Sequence, residues 1–537
     1  MTLLSVRDLQ LSIHRAPILH GLDFDIRAGE VFGLVGESGS GKSMTALALM
    51  QLLPYGGTST GRAAMGGENL LALSERRMCA LRGREIGMIF QEPMTALNPV
   101  KTIGDQVAET LMIHGAASRR AALEVARERL DRVGLFEERF PLDRFPHELS
   151  GGQRQRVCIA MAVALRPKLL IADEPTTALD VTTQAQILDL LKGLVEEEDM
   201  ALMLITHDLA VVAGMADHVA VMQAGRIVEA GPTEALFRTR AHDYTRRLFA
   251  ASDHAPARQV TRTEKPLLEV AGAERAYTLP RTRPFGPQSH FRAVKGVSFT
   301  LHEGESLGLV GESGCGKSTL ARAILGLDVL QGGTIRLGGE AVRAGHHMHR
   351  TMRAKMQAVF QDPYGSFNPR WTVARLVAEP LHLLHEPPAD PAARVASALE
   401  EVGLVPADAR KYIHEFSGGQ RQRIAIARAL ILRPRLIVLD EAVSALDVRV
   451  RAQVLDLLAE LQSRHGLAYL FISHDLAVVR AITDRVLVMQ AGEIVEEGET
   501  GRVFDAPAHA YTKTLVAASP RLPPDWREDD AARQTVV

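Results

Sequence analysis

The sequence predicts an α/β protein made of two tandem copies of one domain, each with a doubly wound, mostly parallel sheet at its core. The chain has 537 residues, more than one hydrophobic core normally accommodates. It also repeats itself. GESGSGKS at 36–43 returns as GESGCGKS at 311–318, and LSGGQRQR at 149–156 returns as FSGGQRQR at 416–423. Short apolar runs beside these repeats supply the third observation.

Further segments repeat at a nearly constant distance. The offset is 275 residues at the glycine-rich loops and 270 between FQEPMTALNP (90–99) and FQDPYGSFNP (360–369). It is 267 between LLIADEPTTALD (169–180) and LIVLDEAVSALD (436–447), and again between ITHDLAVV and ISHDLAVV. A constant offset broken by small loop-length changes indicates two copies of one fold and not a short-period solenoid.

Apolar patterning predicts the elements of each copy. VFGLVG and SLGLVG lead into a glycine loop and then a helix-like segment, whereas LLIA, LMLIT, LIVLD and YLFIS are near-continuous apolar runs, as strands covered on both faces require. One helical face in each copy collects the apolar residues Leu123, Ala126, Leu130 and Val133, and Val395, Leu399 and Val402. Each copy is therefore expected to have a sheet-based core with a helical insertion between its FQ and SGGQ segments.

Composition argues against several classes of function. The 62 basic and 64 acidic side chains give a net charge of −2 without a long basic block, which disfavours a nucleic-acid partner. No apolar run approaches the roughly 18 residues that span a bilayer, and MTLLSVRDLQLSI does not resemble a secretory leader. The cysteines Cys79, Cys158 and Cys315 lack metal-ligand spacing and indicate a reducing cytoplasm. Cys315, inside the second glycine loop, is interpreted as a small filler.

Domain boundaries follow from the repeats. We expect a first domain at 1–251, a linker at 252–265, a second domain at 266–520 and a flexible tail at 521–537. The linker is polar and without periodicity, as is typical of a solvated connector. The tail has too few apolar residues to predict packing.

The glycine-rich loops predict phosphate binding. In GxxxxGK[ST] after a buried strand, glycines allow backbone N–H groups to face a phosphate at the positive end of the next helix. Lys42 and Lys317 would reach the β- and γ-phosphates, while Ser43 and Ser318 would supply an oxygen to Mg²⁺. The predicted phosphate-binding residues are Gly36, Glu37, Ser38, Gly39, Ser40, Gly41, Lys42 and Ser43, and Gly311, Glu312, Ser313, Gly314, Cys315, Gly316, Lys317, Ser318 and Thr319.

Two adjacent carboxylates end a buried strand in each copy. Asp173 and Asp440 are predicted to hold Mg²⁺ through water, and Glu174 and Glu441 to orient and polarise an attacking water. An apolar run ending in Asp–Glu is weak evidence by itself, because strand ends commonly carry solvated acids. The phosphate loop at the usual distance makes the functional interpretation the stronger one.

Polar residues at the ends of two further segments complete the predicted catalytic set. His207 and His474 follow the next strand, where a side chain could reach a γ-phosphate from the carboxyl edge of the sheet. Gln91 and Gln361 end a segment that enters the same edge, and a neutral amide can contact Mg²⁺ or water without adding charge.

The SGGQ segments predict a second anion-binding device in each copy. A serine and two glycines that open a helix present N–H groups and the positive helix end. The residues concerned are Ser150, Gly151, Gly152 and Gln153, and Ser417, Gly418, Gly419 and Gln420.

Taken in order and twice, these motifs resemble the nucleotide-binding domains of ABC transporters. The resemblance covers about residues 1–250 and 266–520. It implies two tandem P-loop NTPase domains, each a RecA-like core with an inserted helical subdomain and an N-terminal antiparallel β subdomain. It also implies hydrolysis of ATP with Mg²⁺.

In that family the signature of one domain closes the ATP site of the other. Site one would combine the loop 36–43, Gln91, Asp173, Glu174 and His207 with Ser417, Gly418 and Gly419. Site two would combine the loop 311–318, Gln361, Asp440, Glu441 and His474 with Ser150, Gly151 and Gly152. Asp180 and Asp447 would touch across the seam.

A finer match is to the dipeptide, oligopeptide and nickel importer branch, carried by EPMTALNP, DPYGSFNP, HDYTRRLFAASD and HAYTKTLVAASP. It implies import of peptides, glutathione or peptide-like antibiotics. The implied partners are two permease subunits, which would dock at Glu92–Pro99 and Asp362–Pro369, and indirectly a periplasmic solute-binding protein. The implied location is peripheral, on the cytoplasmic face of the bacterial inner membrane.

The sequence departs from the family pattern at a few positions. Ala442 and Val443 replace the usual Pro and Thr after the second Asp–Glu pair, which predicts a softened turn. Tyr277 fits an adenine-stacking position in the second copy, whereas the first offers only His14. The C-terminal cysteine cluster that indicates an iron–sulfur centre in related single-domain ATPases is missing.

Two other classes of twin ATPase are weighed against the importer. Ribosome-acting members have a long charged arm between their domains, but this linker is short and polar. Fused sugar-importer ATPases typically have one degenerate site, but here both catalytic sets are complete.

Overall fold

A computed structural model describes residues 1–91, 96–177, 179–258, 263–279, 288–362, 365–444 and 446–526. The chain divides into two compact units. One comprises Met1–Leu179, Thr183–Asp253 and the chain from Pro520 onward, and the other comprises Asp180–Thr182 and His254–Ser519. No helix within the described ranges is long and apolar enough to cross a membrane.

The first unit contains two sheets. Strands β1–β10 are Thr2–Ile13, Ala16–Arg27, Val31–Gly36, Gly57–Met65, Glu68–Asn69, Ile86–Ile89, Leu169–Asp173, Ala201–Thr206, His218–Gln223 and Arg226–Pro232. An antiparallel sheet has the order β2-β1-β4-β5, and a six-stranded sheet has the order β10-β9-β3-β8-β7-β6. The second sheet is parallel except for β10, which pairs antiparallel with β9.

The apolar run of β7 explains its interior position in the sheet, between β8 and β6. Leu170 and Ala172 face a cluster that includes the helical insertion, whereas Leu169 and Ile171 face the cluster beneath the antiparallel sheet. Because both faces are covered, every residue of this strand is buried. The carboxyl end of β7 thereby holds Asp173 at the edge of the core.

Helices flank the parallel sheet. Helices α1–α9 are Lys42–Leu49, Glu75–Leu81, Ile103–Ile113, Arg119–Arg132, Gly151–Ala162, Val181–Glu198, Leu209–Met215, Thr233–Thr239 and Asp243–Ser252. The insertion between β6 and β7 includes α3 and α4, whose N-caps are the side chains of Thr102 and Ser118. Ala126 and Leu130 of α4 are buried as predicted, whereas Leu123 is only half-buried and Ala122 takes its place on the buried face.

The second unit repeats this architecture. Strands β11–β20 are Pro266–Thr278, His290–His302, Ser306–Val310, Gly332–Leu337, Glu340–Ala341, Met356–Val359, Leu436–Asp440, Ala468–Ile472, Arg485–Gln490 and Glu493–Glu499. The sheet orders are β12-β11-β14-β15 and β16-β17-β18-β13-β19-β20. Helices α10–α18 are Lys317–Ile324, Arg350–Lys355, Val373–Ala378, Pro391–Glu401, Gly418–Leu430, Val448–His465, Leu476–Ile482, Thr500–Asp505 and Ala510–Ala518. The predicted helical face of Val395, Leu399 and Val402 is buried.

From His254 onward, the described part of the predicted linker belongs to the second unit and is not a free connector. His254 Nε2 lies 2.6 Å from Asp456 Oδ1, and Arg258 pairs with Asp484 at 3.0 Å. The Arg258 side chain is only 13% exposed. Charged partners on the second unit therefore hold the start of this segment, a long-range pairing that the polar composition of 252–265 does not reveal. Residues 259–262 lie outside the described residues.

The predicted flexible tail also departs from expectation at its start. Leu522 is buried in an apolar cluster of the first unit that contains Phe237, Leu248 and Phe249. Trp526 stands edge-on to Phe237 with ring centroids 5.9 Å apart. Two well-placed apolar side chains are enough to anchor this short segment. The rest of the tail, 527–537, lies outside the described residues.

Candidate functional site

The first glycine-rich loop connects the buried strand β3 to α1. Gly41 caps α1 at φ 105°, and a Cβ there would lie 2.6 Å from the Leu19 side chain. The buried Lys42 side chain turns back into the loop, where Nζ donates to the carbonyl oxygens of Gly36 and Glu37 at 2.8 and 2.9 Å. The loop is thus wrapped around an ammonium group at a helix N-terminus, an arrangement suited to a phosphate.

The second loop has the same geometry between β13 and α10. Lys317 Nζ donates to Gly311 O and Glu312 O at 2.7 and 2.9 Å, and Gly316 caps the helix at φ 114°. Cys315 is buried, and burial raises the pKa of its thiol despite the nearby charge of Lys317. A buried thiol with a raised pKa is chemically quiet, in keeping with its interpretation as a filler.

Both loops are supported by a tyrosine that sequence reasoning did not select. The backbone N–H of Glu37 donates to the Tyr244 hydroxyl at 3.1 Å, and that of Glu312 donates to the Tyr511 hydroxyl at 2.8 Å. The recurrence of these tyrosines in HDYTRRLFAASD and HAYTKTLVAASP is the signal that could have identified them.

The two acids at the end of β7 have different environments. Asp173 accepts a hydrogen bond from Ser43 Oγ at 3.0 Å, and burial raises the pKa of its carboxyl to about 6. Burial also acts to raise the pKa of Glu174, but the hydrogen bond and charge of His207 outweigh it, so that this pKa falls to about 2. The low pKa leaves Glu174 ionised at neutral pH, whereas at Asp173 burial outweighs the Ser43 hydrogen bond and the charge of Lys42.

The structure brings three predicted site residues of the first copy together at Glu174. His207 Nδ1 lies 3.3 Å from Glu174 Oε1, and Gln91 Nε2 donates to Oε2 at 3.1 Å. Thr177 Oγ1 donates to the same Oε2 at 2.9 Å, a contact that the sequence analysis missed. Glu174 itself has the left-handed φ of 48°. Such backbone strain is commonly found at functional positions.

The second copy reproduces the centre with fewer contacts. His474 Nδ1 lies 3.2 Å from Glu441 Oε1, and this bond lowers the pKa of Glu441 although burial acts against it. Burial raises the pKa of Asp440. Gln361 is exposed. Ser444, the counterpart of Thr177, donates to the backbone oxygen of Glu441 at 2.9 Å instead of to the carboxylate.

The turn after the second Asp–Glu pair is not softened, contrary to the expectation for Ala442 and Val443. The Ser444 N–H donates to Glu441 O at 3.2 Å, the same length as the bond from Thr177 to Glu174 in the first copy. Both substituted side chains are buried, at 3% and 1% exposure. Packing of these two apolar side chains holds the turn that the rigid proline ring holds in the first copy.

The SGGQ segments open α5 and α14 with capping boxes. Gln153 N donates to Ser150 Oγ at 3.3 Å while Ser150 N donates to Gln153 Oε1 at 2.9 Å, and Ser417 and Gln420 make the same pair of bonds. The glutamine side chains thus stabilise the helix start. Gly151 and Gly418 are exposed at it.

The two candidate adenine positions differ. Tyr277 is fixed by its hydroxyl, 3.1 Å from Asp328 Oδ2 and 3.5 Å from Thr319 Oγ1, and the Arg275 guanidinium lies 4.6 Å from its ring centroid. In the first copy, His14 lies 5.9 Å from Tyr55, whose side chain is 92% exposed. Tyr55 lies shortly after α1, and nothing in the sequence indicated that its ring would lie beside His14.

A lysine-bearing glycine loop, a largely buried Asp–Glu pair and a histidine beside the glutamate occur in both copies, an arrangement typical of a nucleoside triphosphate hydrolase. The family model described as "ABC transporter" matches residues 19–177 and 294–444, and "Oligopeptide/dipeptide transporter, C-terminal region" matches 495–537. The chain belongs to the ABC transporter family, and the predicted fold class is confirmed.

The chain is similar over nearly its whole length to curated importer subunits. It is 48% identical to the peptidoglycan transport ATP-binding protein YejF of Agrobacterium fabrum, with 96% of each chain covered. It is 47% identical to the glutathione import ATP-binding protein GsiA of Escherichia coli, covering 94% of this chain and 87% of that protein. The predictions of an ATP-binding, ATP-hydrolysing importer subunit are confirmed, and such a subunit works with membrane permease components.

Proposed function

We propose that this chain powers the import of peptides or peptide-like solutes by hydrolysing ATP with Mg²⁺ at two sites, each completed by the signature of the other copy. The observation that carries the proposal is the ionised Glu174 held by His207, Gln91 and Thr177. A carboxylate fixed at both oxygens is suited to orient and polarise a water for in-line attack. Glu441 and His474 have the same role in the second copy.

The donor atoms present fit a magnesium ion. Asp173 Oδ1 and Ser43 Oγ are 3.0 Å apart, both are hard oxygens, and the Asp173 carboxylate is buried. Ser318 hydrogen-bonds Asp440 in the second copy, and Gln91 and Gln361 are the proposed neutral ligands. Among the described residues no cluster of three or more acidic, histidine or cysteine side chains could hold a metal alone. When bound, the ion would neutralise phosphate charge.

The signatures are proposed to act in trans. Ser150, Gly151 and Gly152 would close the site that contains Lys317, and Ser417, Gly418 and Gly419 the site that contains Lys42. The support is that each signature opens a helix at which Gly151 and Gly418 are exposed and the glutamine side chain caps the serine N–H, so that the helix N-terminus can face a phosphate. Asp180 and Asp447 are proposed to meet at the seam.

The permease partners are proposed to dock at Glu92–Pro99 and Asp362–Pro369. Residues 92–95 and 363–364 of these segments lie outside the described residues. In the described part, Leu97 is buried and the Asn98 N–H donates to Gln106 Oε1 at 2.8 Å, which anchors the segment to α3. The proposed location is peripheral, on the cytoplasmic face of the bacterial inner membrane, with a periplasmic solute-binding protein as an indirect partner.

Two findings support the proposed solute class. The C-terminal match is to oligopeptide and dipeptide transporters, and the similar proteins are named for glutathione and peptidoglycan. Both compounds contain peptide units. Uptake of labelled peptides by cells that lack the gene, compared with complemented cells, tests this assignment. Equal uptake in the two would contradict it.

The catalytic assignment is tested by Glu174→Gln combined with Glu441→Gln. We expect ATP binding to persist and phosphate release to fall by about 10²–10⁴-fold, because the amide cannot polarise the water. Phosphate release and equilibrium ATP titration provide the two readouts. Glu196→Gln with Glu460→Gln, which changes the same charge on exposed helical positions, is the matched control. Normal hydrolysis by the catalytic double variant would contradict the assignment.

A further inference from the structure

An ion pair lies beside the catalytic residues of the second copy. Arg451, in the first turn of α15, places Nη1 2.6 Å from Asp475 Oδ2. The two side chains are 20% and 27% exposed, so the pair is largely shielded from water. Shielding and a short, charge-assisted hydrogen bond make such a pair stronger than an exposed one.

Asp475 is the residue that follows the switch histidine, and both of its carboxylate oxygens are engaged. Oδ1 accepts the N–H groups of Ala477 and Val478 at 2.9 and 3.2 Å and so caps α16, while Oδ2 takes Arg451. The Asp475 N–H donates to Ser473 Oγ at 3.0 Å. The turn 473–475 is therefore held at both ends, with His474 between them.

The first copy has a different side chain at this position. The segment VTTQAQ after Asp180 corresponds to VRVRAQ after Asp447, so Gln184 stands where Arg451 stands. Asp208 caps α7 through Oδ1 just as Asp475 caps α16. A neutral glutamine cannot form an ion pair with it.

We propose that Arg451 is a positioning residue of the second ATP site: by holding Asp475 Oδ2, it fixes the turn that keeps His474 against Glu441. The inference rests on the proposed roles of Glu441 and His474. In this arrangement Arg451 raises the turnover of the second site and contributes nothing to ATP affinity, because it acts on the histidine and not on the phosphates.

The test uses the full chain with Glu174→Gln, so that the remaining hydrolysis, followed in steady state and in single turnover, reports the second site. Arg451→Gln copies the first unit, and Asp475→Asn keeps a capping oxygen while it removes the charge. We expect kcat to fall about tenfold in either variant, with KM for ATP changed less than about twofold. Arg451→Lys should recover most of the loss.

Arg464→Gln is the matched control, because Arg464 lies on the same helix and pairs with Glu460 at the surface. We expect it to leave kcat unchanged. The proposal is overturned if Arg451→Gln keeps its kcat, or if kcat and melting temperature fall together without rescue by lysine. If adding Glu441→Gln to the parent leaves hydrolysis unchanged, the proposed role of Glu441 fails first, and that result is distinguishable from failure of the ion pair.

Discussion

Glu174 and Glu441 occupy the same left-handed backbone position, with φ of 48° and 50°, and each lies beside a histidine at 3.3 and 3.2 Å. Around Glu174, Gln91 and Thr177 add two further hydrogen bonds. Among the described residues neither counterpart bonds the Glu441 carboxylate: Ser444 donates to the Glu441 backbone oxygen, and Arg451 pairs with Asp475 beside His474. The backbone of the site is therefore duplicated, whereas the side chains that position its groups are not.

The two copies are therefore expected to share one chemistry and to differ in rate and nucleotide affinity. Both copies keep the lysine inside its loop, an aspartate that is buried in the first copy and half-buried in the second, and the capped signature helix. The copies differ in the side chains that contact the glutamate or the histidine turn. These contacts change how well the same groups are oriented, and the reacting groups stay the same.

The largest expected effect concerns Asp173, whose raised pKa makes the stability of the first unit depend on pH. Burial raises the pKa of Asp173 from 3.8 to about 6. Between these two pH values the carboxyl is ionised in the unfolded chain but still protonated in the folded chain. Stability is accordingly lost as pH rises from about 4 to about 6 and stays lower above that. Asp173→Asn should stabilise the metal-free first unit by about 1–3 kcal/mol at pH 7.5, and this gain should vanish below about pH 4.

The two tryptophans allow each unit to be followed separately. Trp526 packs in the first unit and Trp371 lies in the second, so denaturant titration of a Trp371→Phe chain monitors the first unit alone. In a Trp526→Phe chain the remaining Trp371 reports the second unit, so that Asp440→Asn can be measured there in the same way. A stabilisation by Asp173→Asn that did not depend on pH, or a destabilisation at pH 7.5, would rule out burial as the cause.

A smaller effect is expected at the adenine positions. Tyr277 is fixed by Asp328 and by the Arg275 guanidinium, whereas His14 lies beside the exposed Tyr55 and Gly56. Tyr277→Ala should weaken ATP binding at its site about 3–10-fold, and His14→Ala less than about threefold at the other. Titrations in Lys42→Ala and Lys317→Ala backgrounds separate the sites. Equal losses would mean that the copies do not differ here.

Local motifs predicted the parts of the site that depend on local backbone. Gly41, Lys42 and the Asp173–Glu174 pair are adjacent in sequence to the strand or helix that places them, so their positions followed from spacing alone. Apolar runs likewise predicted the buried strands of the two six-stranded sheets, because a strand that is covered on both faces consists mainly of apolar residues.

Contacts between distant segments were not predictable in this way. Arg451 reaches Asp475 from another helix, and Tyr244 reaches Glu37 from 207 residues along the chain. The repeat marks the two tyrosines as recurring, but spacing does not say which loop they contact, and Arg451 does not recur at all. Leu522 and Trp526 were missed for a related reason: a segment with few apolar residues can still pack when each one meets an existing apolar cluster.

We propose that each ATP is closed by the signature of the opposite copy. It is tested most directly by ATP trapping in a Lys317→Ala, Glu174→Gln chain, in which only the site of Lys42 is loaded. Ser417→Arg should abolish trapping of labelled ATP, because the bulky cation replaces the serine of the closing helix, while Ser150→Arg, the matched change at an identical capping box, should leave trapping intact. The reverse pattern, with Ser150→Arg abolishing trapping and Ser417→Arg harmless, would show that each site is closed by its own copy.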